Sequence, residues 1–287
     1  MLRAASTSSA THDRTTMWTL NQHARRAALF CALLSPLLVA WARPVQDAAP
    51  ADTLTAILGA EGIELDRDAG AVSLPAQMLV TRELLEYLLV GPGGSAHESL
   101  LVTEAKPSLI NAAILAAGVE LGQNAFWKAV EPFPTDEEIK NGAKHHELVL
   151  PTGDGVLPYL AWREGDEVYF LRAEDAICDL AEGRSMRRHR WVYIGSRFMS
   201  LRKGAPEVFM ADEEENVINL TFFTEGNTLV TAALPECETQ TIWRANDWIL
   251  PPRGQPVRLI LAHHALDRVP ASFLASLPEP SRELEER

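Results

Sequence analysis

The sequence is short of cysteine, of basic residues and of long apolar runs, and each shortage removes a class of protein. Of its three cysteines, Cys31 lies near the N-terminus, so only Cys178 and Cys237 fall in the main body. Two thiols cannot build a zinc ribbon or an iron–sulfur site. Lys and Arg number 26 against 39 Asp and Glu, which disfavours nucleic acid or an anionic lipid surface as a general partner. The longest apolar stretch, Ala27–Ala40, has 14 residues, whereas a membrane helix needs about 20. A permanent membrane anchor is therefore not expected. No P-loop lysine follows the glycine-rich stretch, no G-x-S-x-G elbow occurs, and no repeat of about 20–50 residues marks a solenoid or propeller. The acidic run Asp212–Glu215 lacks the central glycine and the terminal glutamate spacing of an EF-hand loop.

What is present begins with an address. From Met17 the chain reads MWTLNQHARRAALFCALLSPLLVAWARPV, with Arg25 and Arg26 ahead of the apolar stretch and Ala40-Trp41-Ala42 behind it. A basic region, a short apolar core and a small-x-small site together predict an export signal over residues 1–42, starting at Met17, and a periplasmic or extracellular protein. Cys31 sits behind bulky Phe30 in mid-core, which argues against lipid attachment. Loss of residues 1–42 leaves 22 basic against 38 acidic side chains, a formal charge of −16. Residues 43–53 read as a Pro/Ala/Asp linker, 54–265 as one domain and 266–287 as a solvated tail.

Hydrophobic alternation predicts mostly antiparallel strands arranged as hairpins. GIELDRDAGAVSLPA alternates on both sides of Asp68-Ala69-Gly70, and LPYLAW and EVYFLR flank Arg163-Glu164-Gly165-Asp166. EVFMA and NVINLTFF flank Asp212–Glu215 as a third hairpin, and VRLILAHH reads as the last strand. Pro107 opens a helix, PSLINAAILAAG, that stops at Gly118, with Leu109, Ala112, Ala113 and Ala116 on its packed face. AEDAICDL reads as a short helix. Many hairpins with a few helices give an α+β fold.

The segments YLLVGPGGSAHESLLVTEAKPSLINAAILAAG, MRRHRWVYIGSRF and FMADEEENVINL resemble the YdjY-domain family of exported bacterial proteins of unknown function. The likeness spans about residues 54–265 and is firmest over HESLLVT and the helix that follows. It implies export and a single shared architecture, and it brings no activity with it.

Six groups of residues could carry chemistry or binding. Gly91–Ala96 satisfies G-x-G-x-x-A, but the segment after it reads as extended rather than helical, so no dinucleotide cofactor is expected. Ser95 and His97 are candidate catalytic residues of a hydrolase if the turn brings them together. On an extended segment Glu98 points away from both, so a distant acid would have to complete the set. Otherwise the glycines supply unusual backbone angles and the turn is structural. His145 and Glu147, two apart on a strand, could begin a metal site, completed by His97, His189 or His263. Arg184, Arg187, Arg188, His189, Arg190 and Trp191 form a basic, aromatic patch that fits an anionic glycan, a phosphate or an acidic segment of an envelope protein. The acidic run Asp212–Glu215 could equally neutralise it from within. Trp127, Trp162, Trp191, Trp243 and Trp248 are either core residues or sugar-stacking platforms. Cys178 and Cys237 could pair as a disulfide in an oxidising compartment.

The sequence thus predicts an exported α+β binding module of the cell envelope that takes no cofactor. A serine hydrolase and a metal-binding protein are the alternatives.

Overall fold

The computed structural model describes residues 50–79 and 82–279, so the expected export signal over 1–42 lies outside the described residues. Helix α1 (Pro50–Ala60) leads into β1 (Glu64–Asp66) and β2 (Ala71–Met78). These form the predicted hairpin, with Asp66 Oδ1 accepting from the Ala69 N–H at 2.9 Å and Gly70 at a φ of +58°. Strands β3 (Tyr87–Val90) and β4 (Ser99–Val102) precede α2 (Pro107–Ala116). Next come β5 (Phe126–Ala129), α3 (Asp136–Lys140) and β6 (His146–Val149). The second predicted hairpin is β7 (Gly155–Glu164) with β8 (Glu167–Arg172). The remaining elements are β9 (Ile177–Asp179), β10 (Arg184–Ser185), β11 (Trp191–Tyr193), β12 (Phe198–Met199), β13 (Val208–Phe209), α4 (Met210–Glu214), β14 (Asn216–Asn219), β15 (Val230–Thr231), β16 (Trp243–Ala245) and β17 (Pro256–Ala262).

These strands overturn the α+β expectation. The chain is mostly β, and its centre is a closed barrel of eight strands in the order β2-β17-β7-β11-β15-β14-β3-β4, with β4 returning to β2 at Gln77–Val102 and Met78–Leu101. Strands β1 and β8 extend it from β2 and β7. Two of the pairings, β3 with β4 and β14 with β15, are parallel. Hairpin patterns report only neighbours in sequence, so they gave no sign of the parallel pairs or the closure.

An eight-stranded barrel leaves an interior just wide enough for side chains to fill. Leu74, Leu101, Leu160, Trp162, Trp191, Tyr193, Ile218, Val230 and Leu259 are buried in one continuous core. Alternate residues of β7 and β17 point outward, yet Tyr159, Ala161, Ile260 and Ala262 are buried as well. Val269, Phe273 and Leu277 cover them, and Pro278 accepts a hydrogen bond from the Arg163 N–H at 3.1 Å. The stretch expected to be a solvated tail is therefore, as far as residue 279, a lid on the outer face. It explains why β7 and β17 read as nearly continuous apolar runs.

Three further expectations change. Asp212–Glu215 is not a hairpin turn: Met210–Glu214 is helical and Glu215 stops it in the left-handed region at a φ of +53°. Helix α2 starts at Pro107 as predicted, but it buries Pro107, Ile110, Ala113 and Ile114, a face turned from the one expected. Helix α1 overlaps the expected linker.

Glycine permits two close crossings. A Cβ on Gly155, where β7 meets β11, would stand 1.8 Å from the Trp191 carbonyl oxygen. Gly153, at a φ of +112°, crosses Gly122 so closely that a Cβ would lie 2.7 Å from the Gly122 Cα. The second crossing, with the Gln123–Thr152 bridge, forms the base of the β5–β6 ribbon. Gly155→Ala is expected to lower the unfolding free energy by about 3 kcal/mol, because the obstacle is barrel backbone. Gly59→Ala, in open space on α1, should change it by less than about 1 kcal/mol. Urea denaturation of the two variants checks both.

Candidate functional site

The glycine turn at residues 91–95 wraps around Glu215. The Gly91 N–H donates to the Glu215 carbonyl at 2.6 Å, the Gly93 N–H to its carboxylate at 2.7 Å, and the Ser95 N–H to Asn216 Oδ1 at 2.9 Å. A Cβ on Gly91 would come within 2.5 Å of Glu215 Oε2, and one on Gly94 within 2.7 Å of its carbonyl oxygen. None of Gly91, Gly93 and Gly94 takes a positive φ. The glycines are there for close approach, not for unusual backbone angles. Ser95 hydrogen-bonds Tyr87, whose phenol burial pushes above its ordinary range. His97 is exposed and faces Glu98, with Nε2 3.6 Å from Oε2. Among the described residues no hydrogen bond joins Ser95 to His97, so the turn does not assemble a hydrolytic pair. Its only helical residues are the single 3₁₀ turn Ala96–Glu98, too short to seat a pyrophosphate.

The basic patch is spent on the protein's own carboxylates. Arg187 clamps Glu236 through two bonds of 2.9 and 2.7 Å, and Arg188 clamps Asp175 through bonds of 3.0 and 2.6 Å. Arg190 donates to the Gly155 carbonyl at 2.7 Å and reaches Asp154 at 3.4 Å. Trp191 is buried, and its indole N–H donates to Glu174 at 3.0 Å. Glu174 is fully buried and also accepts from Arg172 Nε at 3.0 Å and from the His189 N–H at 3.2 Å. Internal neutralisation therefore holds, but through Asp154, Asp175 and Glu236 rather than the Asp212–Glu215 run. Asp212 is occupied elsewhere, accepting from the Ser108 N–H at 2.7 Å and pairing with Lys106 at 3.4 Å.

A different surface stays open. Strands β5 and β6 form a two-stranded ribbon in which Trp127 faces Leu148 and Ala129 faces His146. Cross-strand partners share a face, so Trp127, His146, Leu148 and, two residues on, Leu150 line one side. That side and the 3₁₀ turn Pro235–Glu238 bound a groove of about 760 Å³, with Lys144, His145, Glu147 and Glu238 at its margins. Trp127 is 50% exposed and Phe133 58%. Phe133, His145 and His146 pack edge to face with centroids 4.8–6.3 Å apart. Glu147 is 3.8 Å from Lys128 across the ribbon.

His145 and Glu147 thus belong to a groove rather than to a chelating set. Among the described residues no group of three or more His, Cys, Asp and Glu side chains could hold a metal ion. Cys178 and Cys237 are both free. Cys178 is half-buried between buried Ile177 and Asp179 on β9, so it points to the opposite side of that strand. Cys237 is buried in the 235–238 turn, where burial pushes its thiol up to about 12. Sequence reasoning missed Leu148, Leu150, Pro235 and Glu238. Only contact between segments about 90 residues apart reveals the last two.

Fluorophosphonate is expected to leave Ser95 unlabelled, as peptide mass spectrometry would show. Arg172→Met strands the buried Glu174 carboxylate and should cost about 3–5 kcal/mol. Adding Glu174→Gln should recover part of that loss, measured by urea unfolding of the single and double variants. Comparison with known protein families, with curated proteins and with solved structures finds no match to this chain.

Proposed function

We propose that the protein is an exported, YdjY-like binding module of the cell envelope, and that it takes a neutral saccharide in the groove beside the β5–β6 ribbon. The observation that carries this reading is Trp127, a large aromatic ring half open to solvent on a face otherwise built of His146, Leu148 and Leu150. An indole face receives the C–H face of a sugar ring, and the surrounding polar atoms receive its hydroxyls. Glu147 and Glu238 supply acceptors, and Lys144, His145 and His146 supply the complementary groups. The arginines that would favour an anionic glycan are held by Glu236, Asp175 and Asp154. With two carboxylates at the groove and a surplus of acid over the whole chain, charge weighs toward a neutral ligand.

Isothermal titration calorimetry with neutral oligosaccharides derived from chitin and cellulose, and with a uronic-acid oligosaccharide for comparison, tests the reading. A neutral oligomer should bind, and Trp127→Ala should weaken it at least tenfold, about 1.4 kcal/mol, without changing the unfolding midpoint. Preference for the uronic-acid oligomer, or binding indifferent to Trp127→Ala, would sink it.

A further inference from the structure

The segment that carries the basic patch does not line the groove; it holds one wall of it. That wall is the turn Pro235–Glu238. The Phe222 N–H donates to its Cys237 carbonyl at 3.0 Å, Arg184 lies 3.7 Å from Glu236, and the 187–189 segment adds two further anchors. Arg187 grips Glu236 through both guanidinium bonds, and His189 Nε2 accepts from the Ala233 N–H at 3.1 Å, two residues before the turn begins. A backbone N–H can only donate, so Nε2 must be unprotonated. The ring's proton then sits on Nδ1 and is donated to the Arg187 carbonyl at 3.0 Å. The ring is stacked on Trp191 with centroids 5.4 Å apart. Its neutral form is thus satisfied at both nitrogens. A proton on Nε2 would set one N–H against another and break the contact with Ala233.

We propose that His189 is a proton-operated latch on the groove wall, fixing Ala233 when neutral and releasing the 235–238 turn when protonated, so that ligand is held at neutral pH and let go in acid. The effect on ligand rests on the groove being the binding site; the latch itself does not. The charged groups around the ring come from every element packed on it. Glu174, from the 173–176 turn, has Oε1 3.7 Å from Nδ1, and Arg172, from β8, donates to the His189 carbonyl at 2.7 Å. Arg187 and Arg188, on the same segment, are turned toward Glu236 and Asp175, and Glu236 itself lies on the wall. Glu174 favours the imidazolium, but its oxygens already serve Arg172, Trp191 and the His189 N–H. Burial dominates and holds His189 below its ordinary range.

The sign follows from that direction. A histidine held low in the folded state contributes stability that is complete above its unfolded value, about 6.5, and that declines as pH falls below it. Glu236 is held below the usual carboxylate range by its bonds from Arg187, so the Arg187 anchor survives through that window. Acid therefore frees one end of the wall and keeps the other tethered.

Hydrogen–deuterium exchange of the ligand-free protein at pH 7.5 and 5.5, corrected for intrinsic rates, reads the latch without any ligand. Protection over residues 233–238 should fall about tenfold per pH unit below about 6.5. His189→Gln places an amide oxygen near the Nε2 position and cannot be protonated there, so it should keep protection at both pH values. The double variant His145→Gln/His146→Gln should respond like the wild type. Protection that ignores pH, or that responds equally in His189→Gln, would overturn the latch. If that variant does not fold, nitrogen NMR of the His189 ring in the wild type decides. The ring should be the Nδ1–H tautomer at pH 7.5 and should titrate below about 6.5, with the fall in protection at Ala233 levelling off near that lower midpoint. An Nε2–H tautomer, or a midpoint at or above about 6.5, rejects the proposal. Chitin-oligomer affinity that falls in step with protection supports release in acid, whereas affinity that persists while protection falls overturns it. A pH response in exchange with no oligomer bound at either pH would support the latch while removing the saccharide reading.

Discussion

Strand β2 closes the barrel because its second edge is divided between two partners. Along its first edge it pairs with β17 from Ala71 to Gln77. On the other, β1 takes Ala71–Ser73 and β4 takes Gln77–Met78. Pro75 falls in the gap between those two pairings, the one place in a central strand where a missing N–H leaves no ladder bond undone. The gap is sealed by side chains: Thr103 donates its hydroxyl to the Pro75 carbonyl at 2.7 Å, and buried Arg258 reaches Ser73 Oγ at 2.8 Å and the Gly62 carbonyl at 2.9 Å. Closure removes the free edges that an open sheet of this size would expose to aggregation. It also fixes the interior volume that the indoles of Trp162 and Trp191 fill.

Charge in this protein is organised inward. Glu174 is out of water but surrounded by donors from Arg172, Trp191 and the His189 backbone, so its desolvation is offset by charge-assisted hydrogen bonds. One carboxylate thereby ties β8, the 186–190 segment and β11 together. The outer arginines repeat the arrangement with Asp175 and Glu236, where exposure makes each pair individually weak. Their value is in registering short, irregular segments that have few backbone ladder bonds of their own.

How far the sequence could be read depended on the distance between partners. The β1–β2 and β7–β8 hairpins, the start of α2 at Pro107 and the last strand were legible because their signals are local: a turn between two runs of alternation, a proline at a helix start. The pairings β3–β4 and β14–β15 look from sequence like ordinary successive strands, and nothing local says that they run parallel. Closure joins Met78 to Leu101 and was invisible for the same reason. Two signals were present and easily passed over. Thr135 and Glu138 form a capping box at the start of α3. Val269, Phe273 and Leu277 recur every four residues in a stretch that its prolines and glutamates make look solvated. At the candidate site the sequence placed His145 and Glu147 on a strand leading into the apolar Leu148-Val149-Leu150, but it gave no sign of the facing strand β5. The wall at Pro235–Glu238 was not readable, because it reaches the groove through folding alone.

The ribbon stands apart from this closed framework. No residue between Gln123 and Thr152 belongs to a barrel strand, and the ribbon leaves and rejoins the body at the Gly122–Gly153 crossing and its bridge, with Asn124 donating to the Phe223 carbonyl at 2.8 Å beside it. Scaffold and recognition surface are therefore separable in inheritance and in engineering. The 126–149 excursion carries the groove's aromatic rings and most of its charges without entering the barrel's strand order. A different ribbon grafted at the two glycines would give the same body a different taste in ligands.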